Sequence, residues 1–248
     1  MFARSLVALV MAMATPAAAQ TPQRPFEIVD NSFLVEEAFN QDARIFQNIF
    51  TAARRGGEWQ LTFTQEWPVP GRRHQLSYTL GLDTIGGGKG VSDVYLNYRF
   101  QALDEGPGRP AFSPRISGIL PAGRRSAGQG DGGLQINLPF SKQRRDWYFH
   151  WNGGLTWLPR GAREDFVATA FAGSVVYRLR PMLNLMFESV AVLEDARALT
   201  LSPGIRGGWN LAEDTQIIVG AAAPVTRVRG ETSAGVFAYF SYELPFRK

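Results

Sequence analysis

From residue 44 to the C-terminus, apolar and polar residues alternate with a period of two in segment after segment, separated by clusters of Gly, Pro, Asp and Arg. No other feature constrains the fold so strongly, because a period of two puts successive side chains on opposite faces of a strand. Trp59, Leu61 and Phe63 alternate with Gln60, Thr62, Thr64 and Glu66; Val94, Leu96, Tyr98 and Phe100 alternate with Asp93, Asn97 and Arg99. Further on, Trp147, Phe149, Trp151, Leu155 and Trp157 oppose His150, Asn152 and Thr156, and Val236, Ala238, Phe240, Tyr242 and Leu244 oppose Ser241 and Glu243. The pattern predicts twelve antiparallel strands, at about 44–52, 58–67, 73–83, 91–102, 112–120, 132–140, 146–158, 166–179, 182–193, 198–211, 215–223 and 233–246.

Ahead of them, Met1 to Ala19 runs from Arg4 through the apolar stretch Leu6 to Met13 to Ala17-Ala18-Ala19. That order predicts a secretory signal peptide over residues 1–19, with an A-x-A cleavage site. Beyond it no run approaches the roughly 20 apolar residues of a spanning helix. The expectation is an exported chain with an N-terminal segment at 20–43 and a β-barrel at 44–248.

A soluble barrel or sandwich keeps its apolar faces inside, whereas a membrane barrel turns them out. The six tryptophans decide for the second. All lie on apolar faces and five lie near strand ends. Trp147 and Trp157 are separated along a tilted strand by about 25 Å, the height of an outer-membrane apolar band with an aromatic girdle at each rim. Short connections such as Pro68 to Arg72, Ser141 to Arg145, Arg180-Pro181 and Ala212 to Asp214 fall on one side of the barrel. Longer ones, Thr84 to Gly90, Pro121 to Asp131, Arg160 to Asp165 and Pro224 to Glu231, fall on the other. This is the arrangement of periplasmic turns and extracellular loops in a Gram-negative outer membrane, with lipid and lipopolysaccharide as the surroundings.

The polar faces then become the lumen. They carry Glu66, Asp83, Asp93, Glu188 and Glu243 with Arg99, Arg115, Arg178 and Arg206, and His150. Five acids and four arginines nearly balance, so they are expected to pair across the bore. The outer loops carry Arg54, Arg55, Lys89, Arg124, Arg125, Arg160, Arg163, Arg197, Arg227 and Arg229 against Asp131, Glu164, Asp165, Glu194, Asp195 and Glu231. That excess of cations either steers anionic solutes to the mouth or binds lipopolysaccharide phosphates.

In the N-terminal segment, Asp30, Asn31 and Ser32 are N-cap residues ahead of a short helix expected over Phe33 to Asn40. Either this segment plugs the lumen, with Phe33, Leu34 and Phe39 narrowing it and Glu36 or Glu37 pairing with a wall arginine, or it straps across the periplasmic mouth. Both placements are open at this point.

Other chemistry finds little support. The chain has no cysteine and two histidines, His74 and His150, so no metal site and no cofactor are expected. The net charge of +4 falls short of a nucleic-acid footprint. Gly86 to Gly90 would be a phosphate loop only with Gly at Asp83 and Ser or Thr at Gly90, and Gly128 to Gly133 holds one acid where a calcium loop needs several. A barrel hydrolase needs a Ser and a His within reach of each other. Neither histidine has such a neighbour two residues away, so no catalytic residue is assigned. His74 is expected at the periplasmic rim and His150 in the lumen.

The segment Asn31 to Asp42, with Glu36-Glu37-Ala38-Phe39-Asn40-Gln41 at its centre, resembles an outer-membrane family named for the meta-pathway of phenol degradation. So do Gln47-Asn48-Ile49, Val91 to Arg99, Pro114 to Pro121 and Leu138 to Gln143. The likeness implies a barrel that transports small, often aromatic, molecules. Barrel proteins commonly end on an aromatic residue read by the barrel-assembly machinery; here Phe246 precedes Arg247 and Lys248, which displaces that signal. The function expected is a channel for small aromatic or anionic solutes, the alternatives being a structural or adhesive barrel and, behind both, a hydrolase.

Overall fold

The computed structural model describes residues 27–28, 30–85, 88–122, 132–159, 165–194, 196–212 and 215–245. The expected signal peptide, the loop residues Arg124, Arg125, Asp131, Arg160, Arg163, Glu164 and Asp195, and Phe246 to Lys248 lie outside the described residues. The chain is an all-β, antiparallel up-and-down barrel of 12 strands. They are β1 (Ile45–Arg55), β2 (Glu58–Pro68), β3 (His74–Ile85), β4 in two pieces (Gly88–Val91 and Val94–Phe100) and β5 in two pieces (Ala111–Phe112 and Arg115–Leu120). Next come β6 (Gly133–Arg144), β7 (Trp147–Leu158), β8 (Phe166–Arg180), β9 (Leu183–Leu193), β10 (Ala198–Ala212), β11 in two pieces (Thr215–Ala222 and Val225–Val228) and β12 (Glu231–Pro245). Each strand pairs with its neighbours in the chain, and β1 pairs with β12 from Ile45 opposite Pro245 to Arg55 opposite Gly235. Closure pairs the edge strands, which a bilayer requires because lipid offers no hydrogen bonds to an open edge.

The faces are those the alternation predicts. Leu61, Leu96, Tyr98, Trp147, Trp151, Leu155, Trp157, Phe171, Trp209, Val236 and Phe240 all point outward and stand exposed, giving the barrel an apolar outer surface. His74 begins β3 on this outer face, its Nδ1 2.7 Å from the Tyr98 hydroxyl, at the rim where an amphipathic pair is at home.

One turn is tighter than expected and another is shifted by one residue. β6 continues through Ser141 to Arg144, and the turn to β7 is Arg145-Asp146 alone, with Arg145 at φ 56°. β8 ends at Arg180, so that Pro181-Met182, not Arg180-Pro181, makes the two-residue turn to β9. Leu103 to Pro110 is longer and folds back on itself, Gly106 bridging Arg109 and Leu103 bridging Phe112.

Candidate functional site

The expected helix over Phe33 to Asn40 does not form. Residues 30–42 run as an irregular chain with bends, bonded along its length to side chains of the barrel wall. The reason is where the backbone hydrogen bonds go. A helix would satisfy them internally; here wall side chains satisfy them one by one. The N–H groups of Leu34 and Val35 donate to Glu188 Oε1 at 2.8 and 3.2 Å, that of Glu36 to Asn152 Oδ1 at 2.8 Å, and that of Ala38 to Ser141 Oγ at 2.7 Å. Asn40 and Gln41 donate to Gln101 and Gln75. On the carbonyl side, Arg206 donates to Asp30 and Asn31 at 2.8 and 2.7 Å, Asn152 to Glu36 at 2.9 Å, and Arg99 to Glu37 at 3.2 Å and to Phe39. Ala38 receives both Gln101 and Ser113.

These contacts trace a path. At one end Glu27 pairs with Arg178 and receives Gln216 on its carbonyl; at the other Asp42 pairs with Arg72, so both ends of the segment sit at the end of the barrel that carries the turns Arg145-Asp146 and Pro181-Met182. Between them the chain rises to Phe33–Glu36 and returns. Glu188 and Asn152 each lie five residues into their strands from that side, which puts the apex roughly 13 Å up a tilted strand. Below the apex the wall is solvent-excluded: Ser141, Glu188 and Ser241 are 0% exposed. At the apex, Leu34 is exposed and Glu36 half-buried. Above it the wall carries hydroxyl pairs, Thr51 with Thr62, Thr64 with Thr79 and Thr200 with Thr226.

The residues expected in the lumen are buried or half-buried, yet the charges do not pair across the bore as expected. Most engage the segment. Arg99 and Arg206 hold its carbonyls, Glu188 its N–H groups, Arg115 pairs with Glu36 at 2.7 Å, and Glu243 accepts from Gln41 Nε2 at 2.7 Å. Arg178 joins Glu27 and Asp146 at the end of the barrel where the segment begins. Glu66 accepts from Gln75 Nε2, and Asp83 and Asp93 are buried in the wall of β3 and beside β4. The expected pairing of Glu36 or Glu37 with a wall arginine falls to Glu36. Burial alone would raise its pKa, but Arg115, Arg99 and Asn137 outweigh it and hold the carboxyl below its ordinary value. Glu37 is buried beside Asp30, and burial first, then Asp30, pushes its pKa up to about 8 despite Arg206 and Arg99.

Phe33 has a seat the sequence reading missed. Its ring lies 5.4 and 5.3 Å from those of Phe237 and Tyr239, over Gly204 and Gly220. A Cβ on Gly220 would stand 2.3 Å from the ring and one on Gly204 3.0 Å. Gly220→Ala is therefore expected to unseat Phe33, since the two aromatic neighbours leave the ring no room to move aside. Limited proteolysis of the reconstituted protein should then cut within residues 30–42 faster than in the parent. Gly118→Ala, where a Cβ meets nothing within 4 Å, should leave the rate unchanged.

The structure also brings together a Ser and a His: Ser141 Oγ is 2.7 Å from His150 Nδ1, across β6 and β7. The two-residue turn at Arg145-Asp146 sets this register, Arg144 opposite Trp147 and thus Ser141 opposite His150; placing the turn at 141–145 hid it. Ser141 is fully buried, accepts the Ala38 N–H and belongs to the anchoring of the segment.

No protein-family model and no curated protein matches the chain. Among solved structures, the fold is similar to an outer membrane channel from Pseudomonas putida F1, at 12% identity and TM-score 0.62, over 87% of this chain and 99% of that one. It is also similar to the KdgM porin (7% identity, TM-score 0.56, 81% and 99% covered) and the NanC porin (10%, 0.54, 79% and 100%). At such identities the likeness establishes the architecture, that of outer-membrane barrels.

Proposed function

We propose that this protein is an outer-membrane channel for small solutes and that its N-terminal segment is the plug of that channel. The observation that carries the reading is the anchoring itself. The wall holds the segment by side chains bonded to its backbone, an attachment that can be broken without unfolding a strand, while the barrel ladder stands independently of it. The similar folds of a channel and two porins support the same reading. The resemblance to the phenol meta-pathway family favours small aromatic solutes, and the basic outer loops favour anionic ones or a grip on lipopolysaccharide. The barrel-assembly machinery is the partner expected for insertion. No catalytic role is proposed, since the Ser141–His150 pair is sealed beneath the segment.

Single-channel recording in planar bilayers tests the proposal. Discrete openings of the purified chain support a channel. A second reading, a sealed structural barrel, is favoured by the solvent-excluded lower bore, and a permanently silent barrel would establish it.

Plug seating should depend on pH through Glu37. The seated carboxyl has its pKa raised to about 8, whereas a released one titrates at the ordinary value. Its contribution to seating is thus fully present below about pH 4.5 and is lost as pH rises towards 8. Open probability should rise over that window by at most about tenfold per pH unit. Glu37→Gln should remove this component, read as the difference between the two open-probability curves.

A further inference from the structure

The apex of the segment carries a site with a built-in occupant. The Arg115 guanidinium is fixed by the wall alone: Nη1 donates to Asn97 Oδ1 at 2.9 Å and to Ser117 Oγ, and Nη2 donates to Gln135 Oε1 at 2.9 Å. Gln135 is oriented in turn by donating its own Nε2 hydrogen to Thr156 Oγ1 at 2.9 Å. The remaining nitrogen of Arg115, Nε, forms an ion pair with Glu36 Oε1 at 2.7 Å, and Asn137 Nδ2 donates to Glu36 Oε2 at 2.9 Å. Two side chains of the wall, one of them a guanidinium held by other wall residues, therefore converge on the two oxygens of one carboxylate. That carboxylate hangs from a segment that is not part of the barrel wall. Its side chain is 27% exposed and that of Arg115 13%, so the pair lies at the floor of the upper lumen, within reach of a solute above the apex.

We infer that Arg115 and Asn137 form a carboxylate-binding site for solute, which Glu36 occupies in the resting state. The inference rests on the channel reading and adds a substrate class to it: small monocarboxylates. One guanidinium whose other donors are committed to neutral oxygens supplies a single positive charge, and one carboxylate matches it in charge and in oxygen count. A dianion would bring a second negative charge near Glu66, and the other cation in the field of the site, Arg99, already donates to the segment's carbonyls. Displacement of Glu36 removes one side-chain anchor at the apex, so binding of solute favours withdrawal of the plug, whose backbone anchors remain to be broken. Because a tethered competitor acts at an effective concentration in the millimolar range, the solute binds weakly, as passage requires: a site in a conduction path must release what it takes.

The test uses the full chain in detergent and benzoate labelled with 13C at the carboxyl, titrated by NMR, with benzamide as the uncharged control. Glu36→Gln removes the competing charge and should tighten benzoate binding about tenfold or more, with no change for benzamide. Arg115→Gln should weaken benzoate roughly ten- to a hundredfold, the range for a hydrogen bond to a charged partner, and Asn137→Leu should weaken it less. Benzoate affinity unchanged in Glu36→Gln would overturn the site. That variant decides the matter even where Arg115→Gln fails to fold, because a misfolded barrel does not gain affinity. Flux into liposomes is measured separately. Binding as expected without flux overturns the channel reading and keeps the site, whereas flux of benzoate indifferent to all three substitutions keeps the channel and overturns the site.

Discussion

Replacing Arg99 and Arg206 together with Ala should raise the open probability of the reconstituted barrel more than a hundredfold and widen its largest conductance state. Arg206 donates to two carbonyls of the segment, Asp30 and Asn31, and Arg99 to two more and to Asn40 Oδ1 at 2.9 Å. A hydrogen bond to a charged group contributes about 1.5–3 kcal/mol. Counting a single such bond per arginine, the pair contributes at least about 3 kcal/mol, which exceeds a hundredfold in the ratio of released to seated plug. Loss of the cations also leaves the buried acids Glu37 and Glu66 without the charges that offset them, and this further favours release. Truncation to Ala removes two long side chains from the bore. Single-channel recording reads the result directly. An unchanged conductance in a barrel that still migrates faster unboiled than boiled would mean that the segment leaves a released bore no wider, and the plug reading would fall.

The barrel wall was legible in the sequence because a strand writes its environment into every second residue. Trp147, Phe149 and Trp151 declare one face and His150 and Asn152 the other without knowledge of any partner strand. Even the strand limits follow closely, since Gly, Pro and Asp clusters mark the turns. The segment inside was legible only as composition. Asp30, Asn31 and Ser32 look like helix caps because their side chains suit a free N–H. In the structure the same groups serve other partners: Asp30 accepts from Tyr239 and Ser241, Asn31 Oδ1 accepts the N–H of Glu37, and Ser32 meets Ser174. Leu34 and its acceptor Glu188 stand 154 positions apart. A contact of that kind leaves no periodic trace, so the alternation could find the lumen charges without finding what they hold. Gly204 and Gly220 are a further case, because a glycine that makes room for a ring looks in sequence like any other strand glycine.

An arginine at Leu96 should destabilise the barrel by about 2–4 kcal/mol, the cost of a lipid-facing cation near the bilayer midplane. Leu96 faces outward and is 50% exposed to the surroundings of the barrel, so the new side chain would have lipid on one side and an apolar wall on the other. Its lumen counterpart has to be chosen with care. Asn97, the adjacent inward residue, is 8% exposed, donates to Ser77 Oγ at 3.0 Å and accepts from Arg115. An arginine there would meet the Arg115 guanidinium and lose two hydrogen bonds, so its cost would say nothing of lipid. Thr79 is the better comparison: it faces the upper lumen, is half-buried, and its side chain engages only the Thr64 hydroxyl among the contacts described. In β3 it is the residue next to Tyr78, which pairs with Leu96 across to β4, so the two substitutions sit at nearly the same height on opposite faces of one wall. Thr79→Arg should cost less than half as much as Leu96→Arg, since its charge reaches an aqueous bore. Denaturant unfolding of each variant in lipid vesicles gives both numbers. Equal costs would mean that the two faces see the same medium, a result no lipid-embedded barrel with a wet upper lumen can produce.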